Sequence, residues 1–145
     1  PPAAYDVTPQ VRLAGQQRPA DWAAWSDEGF RTVLNLRCDP ERAAAQAAAA
    51  EAAGLDYLYR PWPADALEPE HVAAFAAIVE APETGRLVFH CRTASRVGVL
   101  WLLYRQLHRG WTRDEALAEL RAAGYDDDSL EVFDFCADDY FERVS

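Results

Sequence analysis

Several residue types are scarce in this sequence of 145 residues, and each scarcity excludes a class of protein. The three cysteines, Cys38, Cys91 and Cys136, are too few and too scattered for a disulfide framework or a zinc site. No apolar run approaches the roughly 18 residues that a membrane span requires. The 14 basic residues are outnumbered by 24 acidic ones, and the net charge of -10 disfavours nucleic acid as a partner. We therefore expect neither nucleic-acid nor membrane binding, and neither a metal nor a cofactor.

Lysine and methionine are absent altogether. All 14 basic residues are arginine, which we interpret as compositional bias. Because the chain starts with Pro1-Pro2 and has no methionine, we favour an exported, periplasmic protein that has lost a signal peptide, although a start trimmed in another way would look the same. The residues that are abundant, 50% hydrophobic and 12% aromatic, predict one folded domain over residues 1–145, which we expect to be a monomer.

Predicted strands alternate with predicted helices along the chain. Short apolar segments predict strands over residues 11–14, 32–36, 57–59 and 87–89. Helical periodicity, capping signals and terminating glycines predict helices over residues 19–28, 40–53, 68–80, 97–108, 112–124 and 129–144. This order is typical of an α/β fold with a central, mostly parallel sheet flanked by helices, in which ligands bind at the carboxyl ends of the strands.

The segment from His90 to Gly98 lies at such a strand end, between an apolar strand and an apolar helix. Several backbone N–H groups can converge there on one point, toward which the following helix directs its positive end. We therefore predict an anion pocket with Cys91 at its floor, where the same field favours a thiolate. Arg96 can bind two oxygens of an oxyanion, and His90 can fix the loop by hydrogen bonds. A merely structural buried cysteine is the simpler alternative, but the flanking histidine and arginine favour the chemical interpretation.

The loop sequence His90-Cys91-…-Arg96 resembles the catalytic loop of the cysteine-dependent protein tyrosine and dual-specificity phosphatases. It is more closely similar to small bacterial phosphatase-like domains of the beta-lactamase hydrolase-like group, and the resemblance covers nearly the whole chain. The other segments that carry it are residues 13–16, 29–37 with Glu41, 97–101 and 110–124. The resemblance implies a phosphatase-like three-layer fold and hydrolysis of a phosphomonoester through a cysteinyl-phosphate intermediate.

The resemblance also implies roles for individual residues. Cys91 would attack phosphorus, and Arg96 would hold the phosphoryl oxygens together with the loop. The loop residues expected to bind substrate are His90, Arg92, Thr93, Ala94, Ser95 and Val97. We expect the substrate to be a phosphorylated small molecule or a phosphoprotein, phosphotyrosine included. The charge of -10 disfavours a polyanionic substrate unless arginines cluster near the site.

A general acid is expected as the second component. The segment Pro61-Trp62-Pro63-Ala64-Asp65 resembles the Trp-Pro-Asp acid loop of the phosphatases with Ala64 inserted. Asp65 would protonate the leaving group and then activate water, unless it only caps the next helix. Glu68 is the second candidate for the acid. Two nearby aromatic residues either line the pocket mouth or only pack: Tyr59 and Trp62.

Three departures from the superfamily pattern leave two alternatives open. Four residues separate Cys91 from Arg96, where most members have five, and this length resembles rhodanese-type sulfurtransferases. Such an enzyme would form a persulfide on Cys91, although the rest of a rhodanese sequence is not found. Ala94 replaces a usual glycine, and Val97 stands where many members have Ser or Thr. These two residues favour a catalytically weak domain that binds phosphate-like anions without turnover.

Overall fold

A five-stranded sheet forms the centre of the structure, a computed structural model that describes residues 3–63 and 66–145. The strands in chain order are β1 (Ala4–Thr8), β2 (Val11–Ala14), β3 (Thr32–Asn35), β4 (Asp56–Tyr59) and β5 (Leu87–His90). They lie in the order β1-β2-β5-β3-β4, with β1 antiparallel to β2 and the other neighbours parallel. The predicted α/β fold with a mostly parallel sheet is confirmed.

Helices cover both faces of this sheet. They are α1 (Pro19–Asp27), α2 (Pro40–Ala52), α3 (Pro69–Glu80), α4 (Ser95–Arg109), α5 (Arg113–Ala123) and α6 (Asp127–Val144). Val88 packs with the cluster that contains Trp22 of α1, whereas Phe89 belongs to the larger cluster with Phe75 of α3 and Trp101 of α4. Successive residues of a strand point to opposite faces, so β5 contributes to both cores of a three-layer domain.

The structure differs from the sequence prediction mainly at the starts of elements. Strand β1 was not predicted; it is an edge strand held to β2 partly by the ion pair between Asp6 and Arg12 at 2.7 Å. Helix α4 begins at Ser95, before the apolar run that marked its start in the sequence. Helix α6 begins at Asp127 because the Asp126 side chain accepts the Ser129 N–H at 2.8 Å. A polar capping residue thus extends α6 beyond its apolar pattern.

The register of the sheet brings three strand ends to one edge. His90 of β5 is paired with Ala14 of β2 on one side and with Asn35 of β3 on the other. Because these strands are parallel, the segments that follow them leave the sheet at the same edge. The cysteine loop therefore has the segments after β2 and β3 as its neighbours.

Candidate active site

Cys91 is the first residue after β5, and main-chain hydrogen bonds from the two neighbouring strands' segments hold Cys91 and the preceding His90. Its N–H donates to the carbonyl of Ala14 at 3.3 Å. On the other side, the Leu36 N–H donates to the carbonyl of His90 at 3.0 Å. The side chain of Cys91 is buried, with 1% of the residue exposed. The sheet thus fixes the base of the loop with the candidate nucleophile at its floor.

Ala94 makes the turn that leads from Cys91 into α4. Its φ of 70° lies in the left-handed region, which glycine adopts without strain and other residues adopt rarely. Its carbonyl accepts hydrogen bonds from the Tyr125 hydroxyl at 2.7 Å and from the Gly98 N–H at 3.3 Å. With this support the loop makes its turn with alanine where the superfamily pattern has glycine.

The backbone between Cys91 and the first turn of α4 has a series of N–H groups without protein acceptors. The N–H groups of residues 92–97 form no hydrogen bond with another group of residues 3–63 or 66–145. The first N–H groups of a helix have no partner inside the helix, and the helix dipole places partial positive charge at the same end. Such a series of donors is suited to the several oxygens of a phosphate-like anion.

The segment after β2 runs alongside the loop. The Gln16 N–H donates to the carbonyl of Arg92 at 3.0 Å, and Gly15 is paired with Thr93. A Cβ atom on Gly15 would lie 3.2 Å from the Arg92 carbonyl oxygen, so glycine allows this close approach. The hydroxyl of Thr93 donates to that of Ser95 at 3.2 Å. The loop is therefore held along its outer edge as well as at its base.

The loop residues predicted to bind substrate fall into two groups by exposure. Arg92, Thr93 and Ser95 are exposed, and Arg96 is half-buried. His90, Ala94 and Val97 are fully buried. The buried residues can contribute to a bound anion only through the main chain or by supporting the loop.

Three arginines line a pocket of about 450 Å³ beside the loop. Arg92 and Arg96 come from the loop, and Arg37 comes from the segment after β3. The remaining lining residues follow Arg37 in sequence: Cys38, Asp39, Pro40 and Glu41. The pocket is thus a positively charged site formed by two neighbouring strand ends.

His90 lies behind the loop and not in the pocket. It is fully buried, and its Nδ1 is 3.4 Å from the carbonyl oxygen of Cys91. Burial, with the positive charge of Arg37 as a further cause, lowers the pKa of His90 from 6.5 to about 3. The imidazole is therefore neutral at physiological pH, and a proton on Nδ1 can be donated to the Cys91 carbonyl. This geometry fits the expected fixing of the loop and leaves no acid role for His90.

Of the two candidates for the general acid, the structure describes Glu68 but not Asp65. Asp65 lies outside the described residues, so its role stays a prediction. Glu68 precedes α3, where its N–H donates to the Nδ1 atom of His71 at 2.9 Å and its carboxylate lies 3.9 Å from the Arg143 guanidinium. The Trp62 ring packs against the larger core and lies 5.6 Å from the His71 ring. Trp62 is thus partly buried against the core, and a role of its ring at the pocket mouth stays a prediction.

Two possible features are not found among residues 3–63 and 66–145. No helix there has the length and apolar character needed to cross a bilayer. In the same residues, no three side chains of His, Cys, Asp or Glu are grouped so that they could ligate a metal ion.

Comparison with known proteins identifies the family. Residues 4–107 match the family described as beta-lactamase hydrolase-like protein, phosphatase-like domain. The chain belongs to this phosphatase-like domain family. The predicted resemblance to this family is confirmed.

Individual relatives agree with this family. A beta-lactamase hydrolase-like protein of Xylella fastidiosa is 28% identical over 126 residues, which cover 83% of this chain and 29% of the relative. The chain therefore spans less than a third of that curated relative's length. Among solved structures, P. aeruginosa TpbA has a TM-score of 0.74 at 23% identity, covering 98% of this chain and 84% of TpbA. A Cys-to-Ser variant of TpbA in complex with pTyr has a TM-score of 0.70 at 20% identity, covering 92% and 87% of the two chains.

Sequence reasoning assigned no role to three residues that shape this phosphatase-like site. Arg37 and Cys38 line the pocket because they follow β3, and Tyr125 supports Ala94 from the connection after α5. For Arg37 and Cys38 a signal existed, since parallel neighbours end at the same sheet edge. For Tyr125 no local signal existed, because its contact joins residues far apart in sequence.

Proposed function

We propose that the domain hydrolyses phosphomonoesters through a cysteinyl-phosphate intermediate on Cys91. The observation that carries this proposal is the series of N–H groups of residues 92–97 that have no partner among the described residues, next to a buried cysteine and continuing into the first turn of α4. A tetrahedral phosphoryl group has several oxygens that can accept these donors, whereas a sulfane sulfur atom would use few of them. The family and the pTyr complex of TpbA add support for a phosphorylated substrate.

In the first step the Cys91 thiolate attacks phosphorus. A bond between sulfur and phosphorus forms, and the bond from phosphorus to the ester oxygen breaks. Asp65 in its protonated form gives its proton to that oxygen, so that an alcohol or phenol leaves. Arg96 and the loop N–H groups bind the equatorial oxygens, where charge is held in the transition state.

In the second step water attacks the phosphorus of the cysteinyl phosphate. The Asp65 carboxylate takes a proton from the water, and the bond between sulfur and phosphorus breaks. Inorganic phosphate leaves, and the Cys91 thiolate and protonated Asp65 are restored. The cycle consumes one ester and one water and needs no redox partner.

Sulfur transfer remains the second candidate because one specific feature favours it. Four residues separate Cys91 from Arg96, as in rhodanese-type loops. A shorter loop draws its N–H donors into a smaller ring, and each must still reach an oxygen at about 2.7 to 3.2 Å. Against sulfur transfer stands the match of residues 4–107 to a phosphatase-like family.

The experiment compares both chemistries on one preparation. We expect phosphate release from 4-nitrophenyl phosphate and from a phosphotyrosine peptide, and loss of both in Cys91→Ser. Arg96→Lys should also reduce both strongly, because one ammonium cannot replace a bidentate guanidinium. Cys136→Ser, on α6, is the matched control and should retain activity. Cys91-dependent thiocyanate formation from thiosulfate and cyanide, without phosphate release, would overturn the proposal.

A further inference from the structure

The arginines of this acidic protein differ in whether they form ion pairs with carboxylates. Most of them lie within ion-pair distance of an Asp or Glu in the described residues: Arg12, Arg18, Arg31, Arg42, Arg105, Arg109, Arg113, Arg121 and Arg143. For the other five, Arg37, Arg60, Arg86, Arg92 and Arg96, no such pair is formed with residues 3–63 or 66–145. Arg37, Arg92 and Arg96 line the same pocket. Despite the net charge of -10, three of the five arginines that lack a carboxylate partner among the described residues thus lie at the candidate active site.

Gln16 connects two of these arginines. Its side-chain oxygen accepts a hydrogen bond from the Arg37 guanidinium, and its N–H donates to the Arg92 carbonyl. The N–H of Arg37 is itself held by the Asn35 side chain at 2.8 Å. Because Gln16 is neutral, it positions Arg37 without cancelling its charge, and the remaining N–H donors of that guanidinium stay available for an anion.

Two carboxylates also belong to the pocket lining. Asp39 accepts the Arg42 N–H at 3.1 Å as the N-cap of α2, and its carboxylate lies 3.7 Å from the Arg42 guanidinium. Glu41 is exposed in the first turn of α2. The charge of Asp39 is therefore partly offset by Arg42, and Glu41 is the other carboxylate that opposes the three pocket arginines among the described lining residues.

The pocket offers more positive charge and more space than one phosphoryl group requires. In the proposed reaction, Arg96 and the loop N–H groups bind the transferred phosphoryl. Arg37 and Arg92 then remain for another group, and a volume of about 450 Å³ lies in the range of small-molecule sites. Guanidinium pairs are well suited to bind phosphate or carboxylate oxygens in bidentate fashion.

We propose that the substrate is a phosphomonoester carrying a second anionic group, a phosphate or a carboxylate, which Arg37 and Arg92 bind. The proposal rests on the proposed function for the position of the reacting phosphoryl. It makes Arg37 and Arg92 specificity-determining residues, and Gln16 a positioning residue for the Arg37 guanidinium.

The test compares three substrates that share one ring: phenyl phosphate, 4-carboxyphenyl phosphate and 1,4-phenylene bisphosphate. We expect kcat/KM to be at least about tenfold higher for one or both doubly anionic substrates, mainly through a lower KM, since bidentate hydrogen bonds between a guanidinium and an anion are among the strongest in proteins. Preference for the carboxylate or the bisphosphate identifies the second group. Arg37→Gln and Arg92→Gln should each reduce that preference, and Glu41→Gln should increase it.

Arg109→Gln is the matched control, because it removes the same charge at the far end of α4 and should leave the preference unchanged. Equal kcat/KM for all three substrates, or a preference that survives both pocket substitutions, would overturn the proposal. If no substrate is hydrolysed, calorimetry with 1,4-phenylene bisphosphate and phenyl phosphate separates the two questions. Tighter, Arg37-dependent binding of the bisphosphate would then support the subsite while the hydrolysis failed, and equal binding would refute it.

Discussion

The hydroxyl of Tyr125 donates a 2.7 Å hydrogen bond to the carbonyl of Ala94, the residue that turns the cysteine loop into α4. The Tyr125 ring stacks on that of Tyr5 with 3.8 Å between centroids. Burial raises the pKa of Tyr125, and the charge of Cys91 raises it further, so the hydroxyl stays protonated and can donate. The connection between α5 and α6 thus supports the candidate active site from behind.

Tyr125→Phe should weaken both the fold and the catalysis. It leaves the buried Ala94 carbonyl without this donor, at a cost of about 1 to 3 kcal/mol in the free energy of unfolding. Misplacement of the loop should lower kcat/KM for 4-nitrophenyl phosphate by roughly tenfold to a hundredfold. Urea unfolding and steady-state kinetics measure the two effects. Tyr104→Phe, within α4, should leave kcat/KM nearly unchanged; an equal loss in both variants would refute the role of Tyr125.

The buried His90 should make the folded state sensitive to acid. Its folded-state pKa of about 3 lies below the ordinary value of 6.5. Between these values the unfolded chain binds a proton that the folded chain does not, so the free energy of unfolding falls as the pH drops below 6.5. One such group contributes a slope of up to about 1.4 kcal/mol per pH unit.

His90→Asn removes this titration while keeping an amide donor near the position of Nδ1. We expect its free energy of unfolding to fall less steeply between pH 6.5 and 4 than that of the unsubstituted protein. Urea unfolding at a series of pH values provides the slopes. His108→Asn, at an exposed position of α4, should keep the original slope. An unchanged slope in His90→Asn would show that the buried imidazole does not titrate as we infer.

The loss of activity on replacing Asp65 should depend on how readily the leaving group departs. Asp65→Asn should slow hydrolysis of a phosphotyrosine peptide by roughly 10²- to 10⁴-fold, because tyrosine is a poor leaving group that needs a proton. The loss should be much smaller for 4-nitrophenyl phosphate, whose phenol leaves readily. Asp128→Asn, in the first turn of α6, is the matched control. Equal losses on both substrates would indicate a structural role, and no loss would direct attention to Glu68→Gln.

Much of the fold could be predicted because it depends on local patterns. The apolar residues of β3 and β5 and the glycine after α2 are visible in the sequence, and their alternation with helices implies a parallel sheet. Cys91 and Arg96 could be singled out because both lie in one short segment. Edge strand β1 could not, since its pairing with β2 depends on contacts that a single segment does not display.

Packing between distant elements accounts for what was missed at the site. Gly98 lies in α4 with its missing side chain directed at Phe133 of α6, where a Cβ atom would come within 2.5 Å of the ring. No local rule requires glycine in the interior of that helix. Likewise, no local rule predicts the hydrogen bond from Tyr125 to Ala94, or the presence of Arg37 and Arg92 in one pocket. These relationships can be recognised only when the sheet order and the helix packing are known.

The mass of what accumulates on Cys91 during turnover tests the central claim most directly. The protein and its Asp65→Asn variant are mixed with 4-nitrophenyl phosphate, quenched in acid and measured by intact-protein and peptide mass spectrometry. In Asp65→Asn the second step lacks its base, so the intermediate should accumulate. We predict a gain of about 80 Da, one phosphoryl group, on the peptide containing Cys91, and no gain in Cys91→Ser. No such gain with 4-nitrophenyl phosphate, together with a gain of about 32 Da on Cys91 after thiosulfate, would contradict the account and assign the loop to sulfur transfer.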